Sequence, residues 1–209
     1  MASETNATST ETIRRTPRRK DRFEQMVSVA AEVFQQKGYD GASLQEIADA
    51  VGILKGSFYH YIDTKEDLLF EVIKKAHEGT ASGNTAWVEF ESEPLVAIRV
   101  WIEGHVRSSI DHLVYAAVYF REIDALAPER RDAINKSRSA YERQLRSLVE
   151  AAIDRGETRA GINPRLATMA LFGMMNWIYY WYRPRGSLSV DEIVRGLADQ
   201  GVASLTGSV

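Results

Sequence analysis

Two helix-start signatures in close succession, Ser43-x-x-Glu46 and Thr64-x-x-Asp67, leave the chain between them little room for anything but short helices. A Ser or Thr hydroxyl at such a position accepts from the backbone N–H three residues on, and an acid there reaches back to the N–H of the cap. After Ser43, the residues Leu44, Ile47, Ala48 and Val51 form a short apolar face, which Gly52 breaks. Lys55 to Tyr61 reads as a third short helix. Thr64 then opens a fourth, with Leu68, Leu69, Val72, Ile73 and Ala76 at its apolar positions. Upstream, Phe23, Met26, Val27, Ala30, Ala31, Val33 and Phe34 recur at helical spacing from about Arg22, and Gly38 stops that run like a C-terminal cap.

Helical spacing continues to the end. Gly79 to Thr85 marks a break near a domain boundary. Helices are expected over Pro94 to His112, Leu113 to Leu126, and Pro128 to Arg155 before Gly156. Asn163-Pro164 pairs a capping residue with a first-turn proline and opens a helix running to Tyr182; the last covers Asp191 to Leu205. There is no strand alternation longer than a few residues and no internal repeat. The fold class is therefore all-α with about nine helices. It divides into a tail and basic arm (residues 1–20), a three-helix helix-turn-helix domain (residues 21–66) and a larger helical domain (residues 67–209).

The formal net charge of −3 speaks against a nucleic-acid partner, but charge is not evenly spread. Arg14, Arg15, Arg18, Arg19, Lys20 and Arg22 cluster ahead of the first helix, opposed there only by Asp21, while Met1 to Thr12 reads as a disordered polar tail. The absence of cysteine excludes disulfides, thiolate nucleophiles and Cys-ligated metal, and suits a reducing cytoplasm. His60, His77, His105 and His112 form no metal pair, and no nucleophile motif or Gly-rich phosphate loop accompanies them, so neither catalysis, metal nor cofactor is expected. No signal peptide is visible, and Met169 to Tyr182 is too short for a membrane span.

Short helices joined by a glycine turn have the organisation with which one helix enters a major groove. The Ile47-Ala48 pair, Val51-Gly52, Lys55-Gly56-Ser57, Tyr59 and Thr64-Lys65-Glu66-Asp67-Leu68 together resemble the tetracycline-repressor (TetR/AcrR) family, over about the first third of the chain. Ile62 departs from that pattern, where the family usually has Phe. Phe58 and Ile62, four apart, are placed to anchor the third helix on Ile47 and Val51, leaving Lys55, Ser57, Tyr59 and His60 on other faces. Lys55 suits guanine O6 or N7, Ser57 donates or accepts, and Gly56 permits close approach. The resemblance adds Gln45 as a base reader, and Tyr59, Tyr61 and Lys65 as phosphate-gripping positions; Ser43 adds a phosphate contact at its helix start.

The same resemblance implies a ligand-responsive repressor that binds a palindromic double-stranded operator as a homodimer through its last two helices. Its larger domain would bind ligand and dimerise. One two-fold dimer places its recognition helices roughly 34–36 Å apart or a multiple of this. Asn176-Trp, Trp181-Tyr-Arg-Pro-Arg-Gly186, Leu188-Ser and Tyr119-Phe-Arg-Glu122 are similar to a branch that senses acyl-coenzyme A thioesters in fatty-acid, steroid or aromatic-acid breakdown. The candidate pocket walls are Trp101, His105, Tyr119, Phe120, Tyr141, Phe172, Asn176, Trp177 and Tyr180, with Arg121, Arg138 and Arg183 as phosphate or carboxylate partners. An aromatic stripe at helical spacing also serves as plain core, and Arg183 as a helix cap. A multidrug sensor on the same scaffold is the alternative; it would turn Glu103, Glu122 and Asp124 into the pocket. A purely structural helical module would retain no DNA.

Overall fold

A computed structural model describes residues 19–207, residue 91 excepted; Arg14, Arg15 and Arg18 of the basic arm and the polar tail lie outside the described residues. All regular structure among the described residues is helical. Helix α1 (Arg19–Gly41) buries Met26, Val27, Ala30, Ala31 and Phe34, and Gly38 interrupts it with φ of 75°. Helix α2 (Leu44–Val51) starts at Ser43, whose hydroxyl accepts from the Glu46 N–H at 3.2 Å. The expected box does not close there, because Lys37 of α1 takes the Glu46 carboxylate into an ion pair. Gly52 ends α2 in the left-handed region at φ of 74°, returning its N–H to the Ala48 and Asp49 carbonyls.

Helix α3 (Lys55–Phe58) is one turn long, shorter than expected. Beyond it the chain continues in tighter bonds, His60 N–H to the Ser57 carbonyl and Tyr61 N–H to that of Phe58. The Arg19 guanidinium donates to the His60 carbonyl at 3.2 Å, a tertiary contact that no local pattern encodes. Helix α4 (Lys65–Gly83) begins with a complete Thr64/Asp67 capping box. It ends within the break expected over Gly79 to Thr85 but runs past Gly79 itself: Ser108 donates to the Gly79 carbonyl at 2.8 Å, and a Cβ at Gly79 would stand 2.9 Å from the His112 ring. Gly79 is a close-approach site inside a helix, not a terminator.

After a 3₁₀ turn (Ala86–Phe90) come α5 (Pro94–Asp111), α6 (Leu113–Glu122), a second 3₁₀ turn (Ile123–Ala125) and α7 (Pro128–Asp154). Helices α8 (Pro164–Asn176) and α9 (Ile178–Trp181) are separated only by Trp177, and α10 (Val190–Thr206) closes the described chain. The nine expected helices are thus present, with the eighth broken where Asn176 turns to His105 of α5. Helix α10 carries a capping box, Ser189 with Glu192, that was equally readable in the sequence.

Two apolar cores organise these helices. The first joins α1 to α4 with Val118 of α6, Leu126 after the second 3₁₀ turn, and Ile134 of α7. The second gathers α5, α7, α8 and α10 around Ile98, Trp101, Ile102, Leu145, Met175 and Ala198. Helix α4 belongs to both parts of the molecule, since its first half fills the first core and Ala76 with His77 reach the larger domain. At the α5–α10 crossing, a Cβ on Gly201 would stand 2.5 Å from Ile102 Cδ1 and 3.2 Å from Leu171 Cδ2. Overpacking such a site costs about 1–3 kcal/mol. Gly201→Val is accordingly expected to lower the unfolding free energy by that much, read as a lower urea midpoint, and an unchanged midpoint would show that the crossing has slack.

Candidate nucleic-acid interface and ligand cavity

Phe58 (fully buried) and Ile62 pack with Ile47 and Val51, as their four-residue spacing required. That anchoring turns Gly56, Ser57, Tyr59 and His60 outward, while Tyr61 is half-buried beneath the Arg19 guanidinium at 5.9 Å. A Cβ on Gly56 would meet nothing within 4 Å, so the backbone of α3 is open to close approach. The Lys55 side chain lies outside the described residues. Gln45 is exposed on α2 and donates to Asp49 at 2.8 Å, and Ser43 is exposed at the start of that helix.

Lys65 has a different setting from the one expected. Its ammonium donates to the Tyr39 and Ala42 carbonyls at 2.8 and 3.0 Å, and lies 4.4 Å from the centre of the Tyr39 ring. A cation there satisfies carbonyls that the end of α1 leaves open, which positions the α1–α2 turn. Next to it, Arg130 of α7 binds the Asp67 carboxylate and approaches Glu66, while Glu66 accepts from the Ala127 N–H at 2.9 Å. The Arg130 guanidinium holds the Asp67 carboxyl below its usual range. Both ends of this latch belong to long helices that also reach the cavity described next.

A half-open cavity of about 260 Å³ lies between α4, α5, α6, α7 and α8. Six of the nine expected wall residues line it, His105, Tyr119, Phe120, Tyr141, Phe172 and Asn176, together with Arg138 of the three expected phosphate partners. Trp101 does not; it is wholly buried behind the wall, stacked on His105 at 5.3 Å between centroids. Trp177 and Tyr180 are stacked on each other at the outer surface. Arg121 donates to the Gln35 carbonyl of α1, and Arg183 caps the end of α9 through the Tyr180 and Tyr182 carbonyls. These residues miss the cavity because a helical repeat fixes which residues share a face but not what the face meets.

Ala76, His77, Ser109, Ala116, Glu142 and Met169 complete the lining and went unread. Ser109 lies one turn beyond His105, and Glu142 one turn beyond Arg138, so the i, i+4 rule had the means to find them. Exposure orders the site: Met169 and Phe120 stand at the mouth with Arg138, whereas His105, Ser109 and Tyr141 form the floor.

The floor holds a hydrogen-bonded chain. Asn84 donates to the Trp101 carbonyl and to the Tyr141 hydroxyl, each at 2.9 Å. The Tyr141 hydroxyl then donates to His105 Nδ1 at 3.1 Å, which puts the imidazole proton on Nε2, facing Asn176 Oδ1 at 3.1 Å. Burial drives the His105 pKa down to about 4, so the ring is neutral at pH 7 and this proton order holds. His77, also pushed down by burial, leaves Nε2 buried and unpaired at the wall. Among the described residues no cluster of His, Cys, Asp and Glu is arranged to hold a metal, and no helix is long and apolar enough to cross a membrane.

An outward-facing α3 locked onto α2, and a helix running from that unit to a lined cavity, define a helix-turn-helix regulator with a ligand chamber. The description "Bacterial regulatory proteins, tetR family" matches residues 27–72, and "Tetracyclin repressor-like, C-terminal domain" matches residues 92–205. The chain belongs to the tetR family of DNA-binding transcriptional regulators. It is 28% identical over 180 residues to the HTH-type transcriptional repressor KstR2 of Rhodococcus jostii, covering 82% of this chain and 84% of that one. Among solved structures it resembles PfmR of Thermus thermophilus at a TM-score of 0.76 and 28% identity, over 85% of this chain and 96% of that one. It shares the fold of AibR, solved with isovaleryl coenzyme A and operator DNA, at a TM-score of 0.74 and 24% identity over 88% and 97% of the two chains.

Proposed function

We propose that this regulator is a homodimeric repressor that holds a palindromic operator through α2 and α3 and lets go when a coenzyme A thioester enters the cavity. It would thereby control breakdown of fatty or related acids in the cytoplasm. The observation that carries the reading is helix α4. Ala76 and His77 line the cavity, while Lys65, at the other end of the same rod, holds the α1–α2 turn. A guest that displaces the wall of α4 therefore acts directly on the DNA-facing unit.

Arg138 supports the thioester. It stands at the mouth and makes no ion pair among the described residues, so a phosphate passing there meets a free guanidinium. The same fold holds a coenzyme A thioester in AibR. The drug-sensing alternative loses its acids: Glu103 faces Arg99, Asp124 faces Arg131, and Glu122 lies against Gly38. One carboxylate, Glu142, remains at the cavity.

Dimerisation is supported by the apolar surface of α8 and α9, where Leu166, Met169, Trp177 and Trp181 are exposed. Gly173 on α8 and Gly196 on α10 have open space where a Cβ would be, so a second copy's helices have room to approach. The test is to select an operator from random duplexes with the purified protein, then titrate acyl-coenzyme A thioesters while following anisotropy. Retention as two protomers per half-site pair, followed by release, is the expected result. A monomer that ignores every duplex, or a complex no thioester dissociates, would overturn it.

A further inference from the structure

The cavity is small, and its deepest part is polar. At about 260 Å³ it falls just below the range of about 300–1,000 Å³ usual for small-molecule pockets. The whole of coenzyme A is far larger and must stay outside, beside Arg138 at the mouth. An acyl group entering tail first thus brings its distal end to Ser109, His105 and Tyr141.

Ser109 has no evident task within the protein. Its side chain is on the floor at 7% exposure, yet its hydroxyl has no hydrogen-bond partner among the described residues. Of the neighbouring polar groups, Tyr141 donates to His105 and His105 to Asn176, while His77 keeps an unpaired Nε2 at the wall. With its oxygen taken by His105, Asn176 has only its NH₂ left to offer a guest. Two donors are thereby left for an incoming acceptor oxygen. A saturated tail would bury the Ser109 hydroxyl without a partner, a penalty that follows from removing any polar group from water unpaired.

We infer that the cavity selects a short acyl group carrying an oxygen, a ketone or hydroxyl, at its distal end, which Ser109 and Asn176 recognise. Long saturated chains are refused by volume, and short saturated ones by the unpaired hydroxyl. This rests on the thioester reading above and adds the class of acyl group. A regulator with this preference responds to partly oxidised intermediates of acid or ring breakdown rather than to membrane-derived chains.

The matched probes are 5-oxohexanoyl and 5-methylhexanoyl coenzyme A, which differ by an oxygen against a methyl, together with palmitoyl coenzyme A and the two free acids. Calorimetric titration of the full chain should find the oxo thioester bound at least about tenfold tighter than its methyl counterpart. Ser109→Ala, harmless to a helix, should narrow that ratio severalfold, weakening the oxo compound and, with no hydroxyl left to bury unpaired, tightening its methyl counterpart. Equal affinities in the parent protein, a ratio untouched by Ser109→Ala, or palmitoyl binding as tightly would each overturn the inference. Thioesters that bind without preference sink the floor assignment but keep the thioester reading. The oxo acid bound preferentially while no thioester binds does the reverse. Binding by none of them removes both.

Discussion

Phe58→Ala should destabilise the N-terminal unit by about 3–5 kcal/mol and abolish operator retention at ordinary temperatures. The side chain is fully buried and lies at the junction of α2, α3 and the first core. Helix α3 is a single turn, far too short to persist in water by its own hydrogen bonds. Its geometry therefore depends on tertiary packing, and Phe58 is its largest buried contribution. Ser57 and Tyr59, its neighbours, are exposed and contribute little to stability. Alanine at Tyr59 thus serves as the control: DNA affinity should fall while the urea midpoint stays. A Phe58→Ala protein that melts with the parent and still retains DNA would mean that α3 is held by something other than its buried face.

Acid is expected to weaken the larger domain well before the carboxylates titrate. His105 protonates at about 4 in the fold, against an ordinary value of 6.5, because burial disfavours the imidazolium. Its pKa is depressed, so the unfolded chain binds the proton first. The stabilisation is complete above pH 6.5 and declines as pH falls towards 4. Over that interval the loss amounts to about 3 kcal/mol, of which about 2 kcal/mol has gone by pH 5. His77, depressed in the same direction, steepens the trend. Urea midpoints between pH 7 and pH 5 read it directly. In His105→Gln, which cannot titrate, much of the slope should disappear; a parent protein with flat stability over this range would contradict the buried neutral ring.

The local signals proved most legible where one residue acts on its own helix. Thr64 with Asp67, Gly52 and Asn163-Pro164 mark helix ends where expected, because a cap is complete within a few residues of chain. The buried face of α3 was also readable, since the Phe58–Ile62 spacing assigns it and leaves Ser57, Tyr59 and His60 outward. Lys65 was not. Its side chain could point to a phosphate or back to the end of α1, and only the folded position of Tyr39 and Ala42 decides between them. Glu46 is similar, drawn from its own cap by Lys37 of the preceding helix.

The cavity divides in the same way. Aromatic and polar residues on α5, α7 and α8 were visible as faces, yet Trp177 and Tyr180 face outward and Arg121 belongs to the contact with α1. Ser109 and His77 carry no motif at all. Their importance arises from α4 and α5 crossing closely at Gly79, which seats them at one chamber. Helix content, caps and the outward residues of α3 are thus properties of periodicity and short-range hydrogen bonding, determined by the sequence alone. Which cation meets which carbonyl, and which hydroxyl remains without a partner, depends on distances between helices remote in the chain, and those exist only once the two cores have packed.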